Sequence, residues 1–465
     1  MIPQTKKVVN QETRVSGSSA SLDVKSFIDH RGITGRQWLL VLLCFLIVAA
    51  DGIDVAIMGF LAPSIIQEWG ISRAGFGLVM SAAPVGLVIG ALVAGPSSDR
   101  LGRKTVLLAA VLAFSVCTVL TAFTQDVSQM VVMRFLTGIG LGAAMPNTTT
   151  LLAEYVPERR RSLLITVMFI GFGVGSAVVG FAAGWMIPHL GWRSVLIAGG
   201  TLPLVLLPFL VFFLPESVRF MLVRKFPAER IAATLGRVCK TRFDSGTNFF
   251  APEPPVHAKK PIGVLFSEGY ALVTVSLWVT YFMGLLVIYL ITGWLPTLMK
   301  DAGLPITQAA NITAMFQTGG ILGAVLTGWA MDRLQPTGVI AAAYLGGAIC
   351  VLGVGSAGPT ADTLPFWMLA AGFFMNGAQT GLNAFAPACY PTIARATGVS
   401  WMQGMGRFGS ILGSAVGGVL LGMGWGFAGI VSTLAVPAAI ATVAMLASRV
   451  GAKRLQPEAK TLAHS

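Results

Sequence analysis

The chain has 465 residues, of which 55% are hydrophobic and only 11% charged, with a formal net charge of +13. Soluble domains carry about 25% charged residues, so that class is excluded. Nucleic-acid binding is not needed to explain the positive charge, because the basic residues follow the pattern that membrane topology demands.

Apolar stretches of 18 or more residues recur from Trp38 to Ala447, each able to cross a hydrocarbon layer of about 30 Å. They predict an all-α membrane protein with twelve transmembrane helices in two six-helix bundles. Residues 1–37 are polar and basic, without the apolar core or small-residue cleavage site of a signal peptide, and are expected as a cytoplasmic tail. Span 1 (38–65) contains the run ADGIDVAIMGF. A carboxylate at mid-bilayer costs about 2.5–3.5 kcal/mol on insertion scales. Asp51 and Asp54, three residues apart, share a helical face and must meet protein or a water-filled cavity. Two carboxyls that oppose each other's ionisation are suited to exchange a proton. An ion pair fixing span 1 to another helix is the structural alternative.

Between spans 2 (74–97) and 3 (105–124) stands Gly95-Pro-Ser-Ser-Asp99-Arg100-Leu-Gly102-Arg103-Lys104. Span 4 (128–151) carries Arg134 and then Gly138, Gly140 and Gly142, and ends near Glu154 in AEYVPERRR. Spans 5 (162–187) and 6 (193–214) complete an N-terminal bundle over 38–214. The central loop, 215–266, holds nine basic and four acidic residues. Its first half reads as an amphipathic helix on the membrane surface, interrupted at Pro227. Its second half, with APEPPVHAKKP, reads as linker.

The C-terminal bundle, 267–447, holds spans 7 (270–298), 8 (308–330), 9 (337–357), 10 (364–387), 11 (398–422) and 12 (424–447), with a tail over 448–465. Polar side chains interrupt its apolar runs: Tyr281 and Tyr289 in span 7, Gln317 in span 8, and Asn376, Gln379 and Asn383 on one face of span 10. They could hydrogen-bond a substrate or simply bond between helices. Arg407 lies within GMGRFGSILG of span 11, and a buried guanidinium needs an anion, which its planar fork grips best as a carboxylate. A substrate carboxylate is one answer and a permanent bridge to Asp51 or Asp54 the other. Trp278, Trp294, Phe316, Phe385 and Trp401 could stack on a ring. With both termini cytoplasmic, 27 of the 32 basic residues lie inside, Arg73, Arg193 and Lys300 outside, and Arg134 and Arg407 within spans. The five scattered cysteines have no CxxC spacing, and there is neither a P-loop nor His/Glu metal spacing. No enzyme, metal or cofactor is therefore expected, and a proton gradient is the expected driving force.

The two halves echo each other. Gly328-Trp-Ala-Met-Asp332-Arg333-Leu repeats Gly95 to Leu101 at the corresponding loop, and Tyr155 and Tyr390 each precede a proline at the ends of spans 4 and 10. Such a parallel six-helix repeat is the plan of one large transporter class. At Gly95, Asp99, Arg100, Gly102, Arg103 and Lys104, and at Arg134 with its three glycines, the chain resembles the major facilitator superfamily. Asp51-Gly52-x-Asp54, Gly191-Trp192-Arg193, Leu214-Pro215-Glu216-Ser217, Tyr390-Pro391-Thr392 and Gly406-Arg407-x-Gly409 are similar to the aromatic acid/proton symporters within it.

The resemblance implies a buried Arg134 that tunes a neighbouring acid. It also implies a cytoplasmic gate in which Asp99 meets a helix N-terminus of the other half and Arg103 pairs with an acid such as Glu154. The expected protein is a monomeric importer of a small aromatic carboxylic acid, such as a hydroxybenzoate, with protons, in the bacterial inner membrane. A proton-driven exporter of drugs or organic acids, a carrier of muconate-like dicarboxylates and a transporter-like receptor are the alternatives. Span 5 speaks against the exporter, because it has no Gly-Pro pair.

Overall fold

The computed structural model describes residues 14–15, 21–243, 247–250, 263, 265–266, 270–358, 362–390 and 392–462. The apolar runs fold as helices that overshoot them, because polar caps satisfy the first free N–H groups. Thr34 forms a capping box: its hydroxyl accepts from the Gln37 N–H at 3.2 Å, and the Gln37 side chain accepts from the Thr34 N–H at 2.7 Å. Ser72 and Asp126 cap spans 2 and 4 likewise.

Spans 1 to 6 are the helices Gly35–Trp69, Arg73–Leu101, Arg103–Thr121, Val127–Tyr155, Glu158–Leu190 and Trp192–Phe213. Spans 7 to 12 are Tyr270–Asp301, Ile306–Met331, Pro336–Ala357, Leu364–Phe385, Thr392–Gly422 and the pair Phe427–Thr433 with Ala435–Leu462. Eleven are long and apolar enough to cross a membrane. Span 10 has the length, at 22 residues, but Asn376, Gln379 and Asn383 lower its mean hydropathy. It packs on spans 8 and 9 as one of the twelve long helices.

Packing repeats between the halves. Spans 1, 2 and 3 pack on 5, 4 and 6, and spans 7, 8 and 9 pack on 11, 10 and 12. The bundles meet through two equivalent seams, span 5 on span 8 and span 2 on span 11. Glycines set the approach distances. In span 4 a Cβ on Gly138 or Gly142 would fall on the Ala83 or Leu87 carbonyl of span 2, and one on Gly140 would lie 2.9 Å from Phe114 of span 3. The spaced glycines of this span therefore serve two neighbours at once.

Contacts between bundles concentrate towards the face opposite the chain termini. There Arg73 of span 2 grips Asp301 of span 7 with two hydrogen bonds of 2.7 Å, and Trp294 donates to the Ser414 carbonyl at 2.7 Å. Glycines near that end also bring the bundles close: a Cβ on Gly77 would lie 3.2 Å from the Ala415 carbonyl and one on Gly418 2.6 Å from the Arg73 carbonyl.

Two short surface helices, Val218–Val223 and Ala228–Cys239, follow span 6, split at Pro227 as the sequence predicts. The segment Arg14–Val15 pairs in parallel with Arg242–Phe243, and Ser21–Asp23 with Asn248–Phe250. Thr34 donates to the Val238 carbonyl at 2.7 Å, so the tail and the central loop form one layer over the first bundle. The Pro-rich run expected as linker lies outside the described residues.

Candidate functional site

Gly52, between the two aspartates, is where the site begins. A Cβ there would fall on the Phe172 carbonyl of span 5, and the Ser176 hydroxyl donates to the Gly52 carbonyl at 2.8 Å. Close approach of spans 1 and 5 seals both aspartates in the protein, at 3% exposure for Asp51 and 2% for Asp54.

Their surroundings differ. Asp54 is held from two helices: the Arg134 guanidinium lies 2.9 Å from its Oδ2 and donates to Oδ1 at 3.1 Å, and the Thr118 hydroxyl donates to Oδ1 at 2.5 Å. Arg134 also donates to the Asp54 backbone carbonyl at 3.2 Å, and at 2% exposure it is a buried ion-pair partner rather than an outward-reaching interfacial arginine. Asp51 makes no ion pair among the described residues, and its Oδ1 is buried without a hydrogen-bond partner. Arg407 of span 11 is within electrostatic reach of Asp51 and of the Tyr289 hydroxyl. It forms no salt bridge with either aspartate. Asp54 Oδ2 and Arg134 Nε are likewise buried without a hydrogen-bond partner, so what separates the two aspartates is the ion pair: Asp54 has one and Asp51 has none among the described residues.

Between the bundles lies a narrow, mostly apolar cavity of about 40 Å³, whose lining includes none of Asp51, Asp54 and Arg407. Its polar lining includes Arg134, Ser176, Tyr289, Thr292 and Gln317, and Met58, Met80 and Phe172 are among its apolar walls. The Gln317 amide donates to the Thr292 hydroxyl at 3.1 Å.

The other polar residues of the second half lie elsewhere. Gln379 is buried and accepts from the Tyr344 hydroxyl at 2.7 Å, Asn383 donates to the Gln379 carbonyl at 3.2 Å, and Asn376 packs on Gly320. None of the three lines the cavity. The Asn376 and Gln379 amide nitrogens and the Asn383 amide oxygen are buried without partners. Tyr281 packs on Gly406, Trp294 and Phe316 are fully buried, and Trp278 stacks on Trp401 with centroids 5.8 Å apart.

The loop 2–3 motif builds a polar network on the terminal face of the first bundle. Arg103 donates to Glu154 and to the Ser217 hydroxyl, both at 2.6 Å, and that hydroxyl donates to the second oxygen of Glu154 at 2.6 Å. Glu216 accepts from the Lys104 and Ser217 N–H groups, and the Tyr155 hydroxyl donates to its carbonyl at 2.5 Å. Gly102 turns the chain at φ +93°, where a Cβ would sit 2.5 Å from the Glu216 carboxyl. The Asp99 and Arg100 carbonyls accept from Arg224. The Asp99 side chain is exposed and Gly95 faces open space.

Several of these residues escape sequence reasoning. Thr118, Ser176 and Thr292 are single hydroxyls in apolar helices, where most such groups bond their own i−4 carbonyl, so no pattern marks them. Tyr289 was visible as a polar side chain, but only the fold puts it beside Arg407. Glu216 and Ser217 were visible only as part of the Leu-Pro-Glu-Ser run.

Two helical bundles related by repeat, closing on buried charges at their interface, define a secondary transporter. The sequence profile of the Major Facilitator Superfamily matches residues 43–371 and, in a second match, 277–464. A gallate transporter of Pseudomonas putida is 56% identical over 92% of this chain and 95% of its own length. A 4-hydroxybenzoate transporter of Pseudomonas aeruginosa is 50% identical over 91% of this chain and 95% of its own. A benzoate transport protein of Acinetobacter baylyi is 33% identical over 87% and 88%. Among solved structures, a D-xylose–proton symporter superposes with a TM-score of 0.69 at 18% identity, covering 88% of this chain and 97% of that one. The chain belongs to the major facilitator superfamily and, within it, to the family of these aromatic-acid transporters.

Proposed function

We propose that this protein imports a small hydroxylated aromatic carboxylic acid together with one or more protons. The observation that carries the reading is the unequal pair in span 1. Asp54 is ion-paired with Arg134, whereas Asp51 is buried without an ion pair among the described residues and lies within electrostatic reach of Arg407 across the bundle interface. An arginine that no carboxylate holds has its fork free for a substrate carboxylate. A carboxyl in that setting gains from binding a proton as the substrate arrives. Loading both removes unpaired buried charge, which is the difference in energy a carrier needs to change its open face. Tyr289, Thr292 and Gln317 offer hydroxyl and amide partners for ring hydroxyls, and the relatives named for gallate and 4-hydroxybenzoate support a substrate bearing them.

The terminal face, with 27 of 32 basic residues, is the cytoplasmic one by the positive-inside rule. The gate formed by Gly95, Asp99, Arg100, Gly102, Arg103, Lys104 and Glu154 would close it in the outward-facing state, with Asp99 docking on the second bundle.

The test is uptake of labelled benzoate, hydroxybenzoates, gallate and muconate into vesicles with and without an imposed pH gradient. Accumulation of a hydroxylated aromatic acid that collapses with a protonophore is expected. Accumulation that survives the protonophore would overturn symport, and a preference for muconate would overturn the aromatic assignment. Arg407→Ala should raise the half-saturating concentration at least tenfold, with only partial recovery in Arg407→Lys. Unchanged affinity in both would remove Arg407 from substrate binding.

A further inference from the structure

On the terminal face, beside the loop 2–3 motif, a cleft of about 1130 Å³ opens between the first bundle and the surface helices. Six cations line it: Arg36 at the start of span 1, Arg100 and Lys104 at the loop 2–3 turn, and Arg224, Arg230 and Arg237 on the surface helices. Arg230 and Arg237 are two helical turns apart and so share a face, while Ile231 and Leu235 turn inward and are buried.

Among the described residues Glu216 is the one carboxylate lining the cleft, and it already accepts two backbone N–H groups. Arg230 instead lies over the Phe226 ring, 4.9 Å from its centroid. Three of the other cations find carbonyls: Arg36 donates to the Arg237 carbonyl at 2.6 Å and Lys104 to that of Val211 at 2.6 Å. Arg224 donates to the carbonyls of Asp99 and Arg100. Such bonds orient a cation without neutralising it.

The cleft also has an apolar wall. Phe212 and Phe213, at the end of span 6, are 74% and 56% exposed, and Leu101 is 63% exposed. Side chains this apolar at the end of a membrane span are placed where acyl chains run. A cationic rim continuous with a lipid-facing wall matches an amphiphile with an anionic head, since guanidinium groups grip phosphate oxygens in pairs.

We propose that this cleft binds a phospholipid with a net negative headgroup, the phosphate held by the arginines and a chain lying along Phe212 and Phe213. A free phosphorylated solute would use the same cations but not the wall. The occupant is the lipid because the cleft opens onto the hydrocarbon-facing end of span 6.

The test uses the full-length protein purified into phosphatidylcholine vesicles with a minor fraction of spin-labelled lipid, either phosphatidylglycerol or phosphatidylcholine. The wild-type chain should immobilise the anionic lipid at least tenfold more strongly than the neutral one. Arg230→Gln with Arg237→Gln should bring the two within about twofold, and Arg230→Lys with Arg237→Lys should restore most of the preference. Phe212→Ala with Phe213→Ala should weaken retention of the anionic lipid with the arginines intact. Equal retention of the two lipids by the wild type overturns the proposal without need of any variant. So does an undiminished preference in the glutamine variant, or displacement of the lipid by millimolar inorganic phosphate, which would mark a site for soluble anions.

Discussion

At the scale of single residues, two aspartates one helical turn apart carry opposite consequences. Asp54 is one partner of a buried ion pair with Arg134, and removing one partner of such a pair typically costs about 3–5 kcal/mol, because the other charge stays buried. Arg134→Leu and Asp54→Asn should therefore each lower the melting temperature of the purified protein by several degrees. The double variant should recover much of that loss, since no lone charge remains. If it melts no higher than Arg134→Leu, the pair is not what steadies these helices. Asp51 answers differently. Its unpartnered oxygen is already a cost to the fold, so Asp51→Asn should melt at or above the wild-type temperature while gradient-driven accumulation is lost. Normal accumulation by that variant would shift the coupling role away from Asp51.

At the scale of elements, glycine positions separate packing from gating. A Cβ on Gly52 would collide with the span 5 backbone, and overpacking of this kind costs about 1–3 kcal/mol. Gly95 has open space around it, and alanine in a helix is favoured over glycine by up to about 1 kcal/mol. Gly52→Ala should thus lower the melting temperature and abolish uptake. Gly95→Ala should leave the melting temperature unchanged or slightly raised but slow uptake, because the space it fills is needed when the bundles close on that face. Uptake by Gly95→Ala at the wild-type rate would show that the bundles do not close tightly there. That the two halves repeat was legible from the echoed loops; that spans 1, 2 and 3 pack on 5, 4 and 6 was not, because a repeat does not say which helices touch. Nor was the parallel pairing of the N-terminal tail with the central loop, because strands of two and three residues carry no periodicity.

For the whole molecule, the outer ends of the bundles are tied by Arg73 and Asp301, whose side chains are 43% and 32% exposed. Ion pairs this exposed are worth about 0.2–1 kcal/mol, which shifts a two-state equilibrium by no more than about fivefold. Arg73→Ala should change the initial uptake rate within that range rather than abolish it, and the charge swap Arg73→Asp with Asp301→Arg should return it towards wild type. Total loss of uptake in Arg73→Ala, with normal expression, would assign Arg73 a larger part than a latch.

Amino-acid order alone determined the class, most of the helices to within a few residues and the burial of Asp51 and Asp54, because the cost of exposing charge to lipid leaves few arrangements. The burial of Arg134 was only implied by the family resemblance, and the last helix runs to Leu462, past the expected end of span 12. The sequence also brought out Arg103 and Glu154, whose pairing the family resemblance implied. Tertiary structure decided what periodicity cannot. Helical spacing says which residues share a face, but not what that face meets. Asn376, Gln379 and Asn383 share one, yet it packs among the helices of their own bundle, while Tyr289 and Gln317 reach the bundle interface. Only three-dimensional packing could choose Arg134 for Asp54 and leave Asp51 unpaired, since partners 80 residues apart are brought together by helix contacts that no local pattern records.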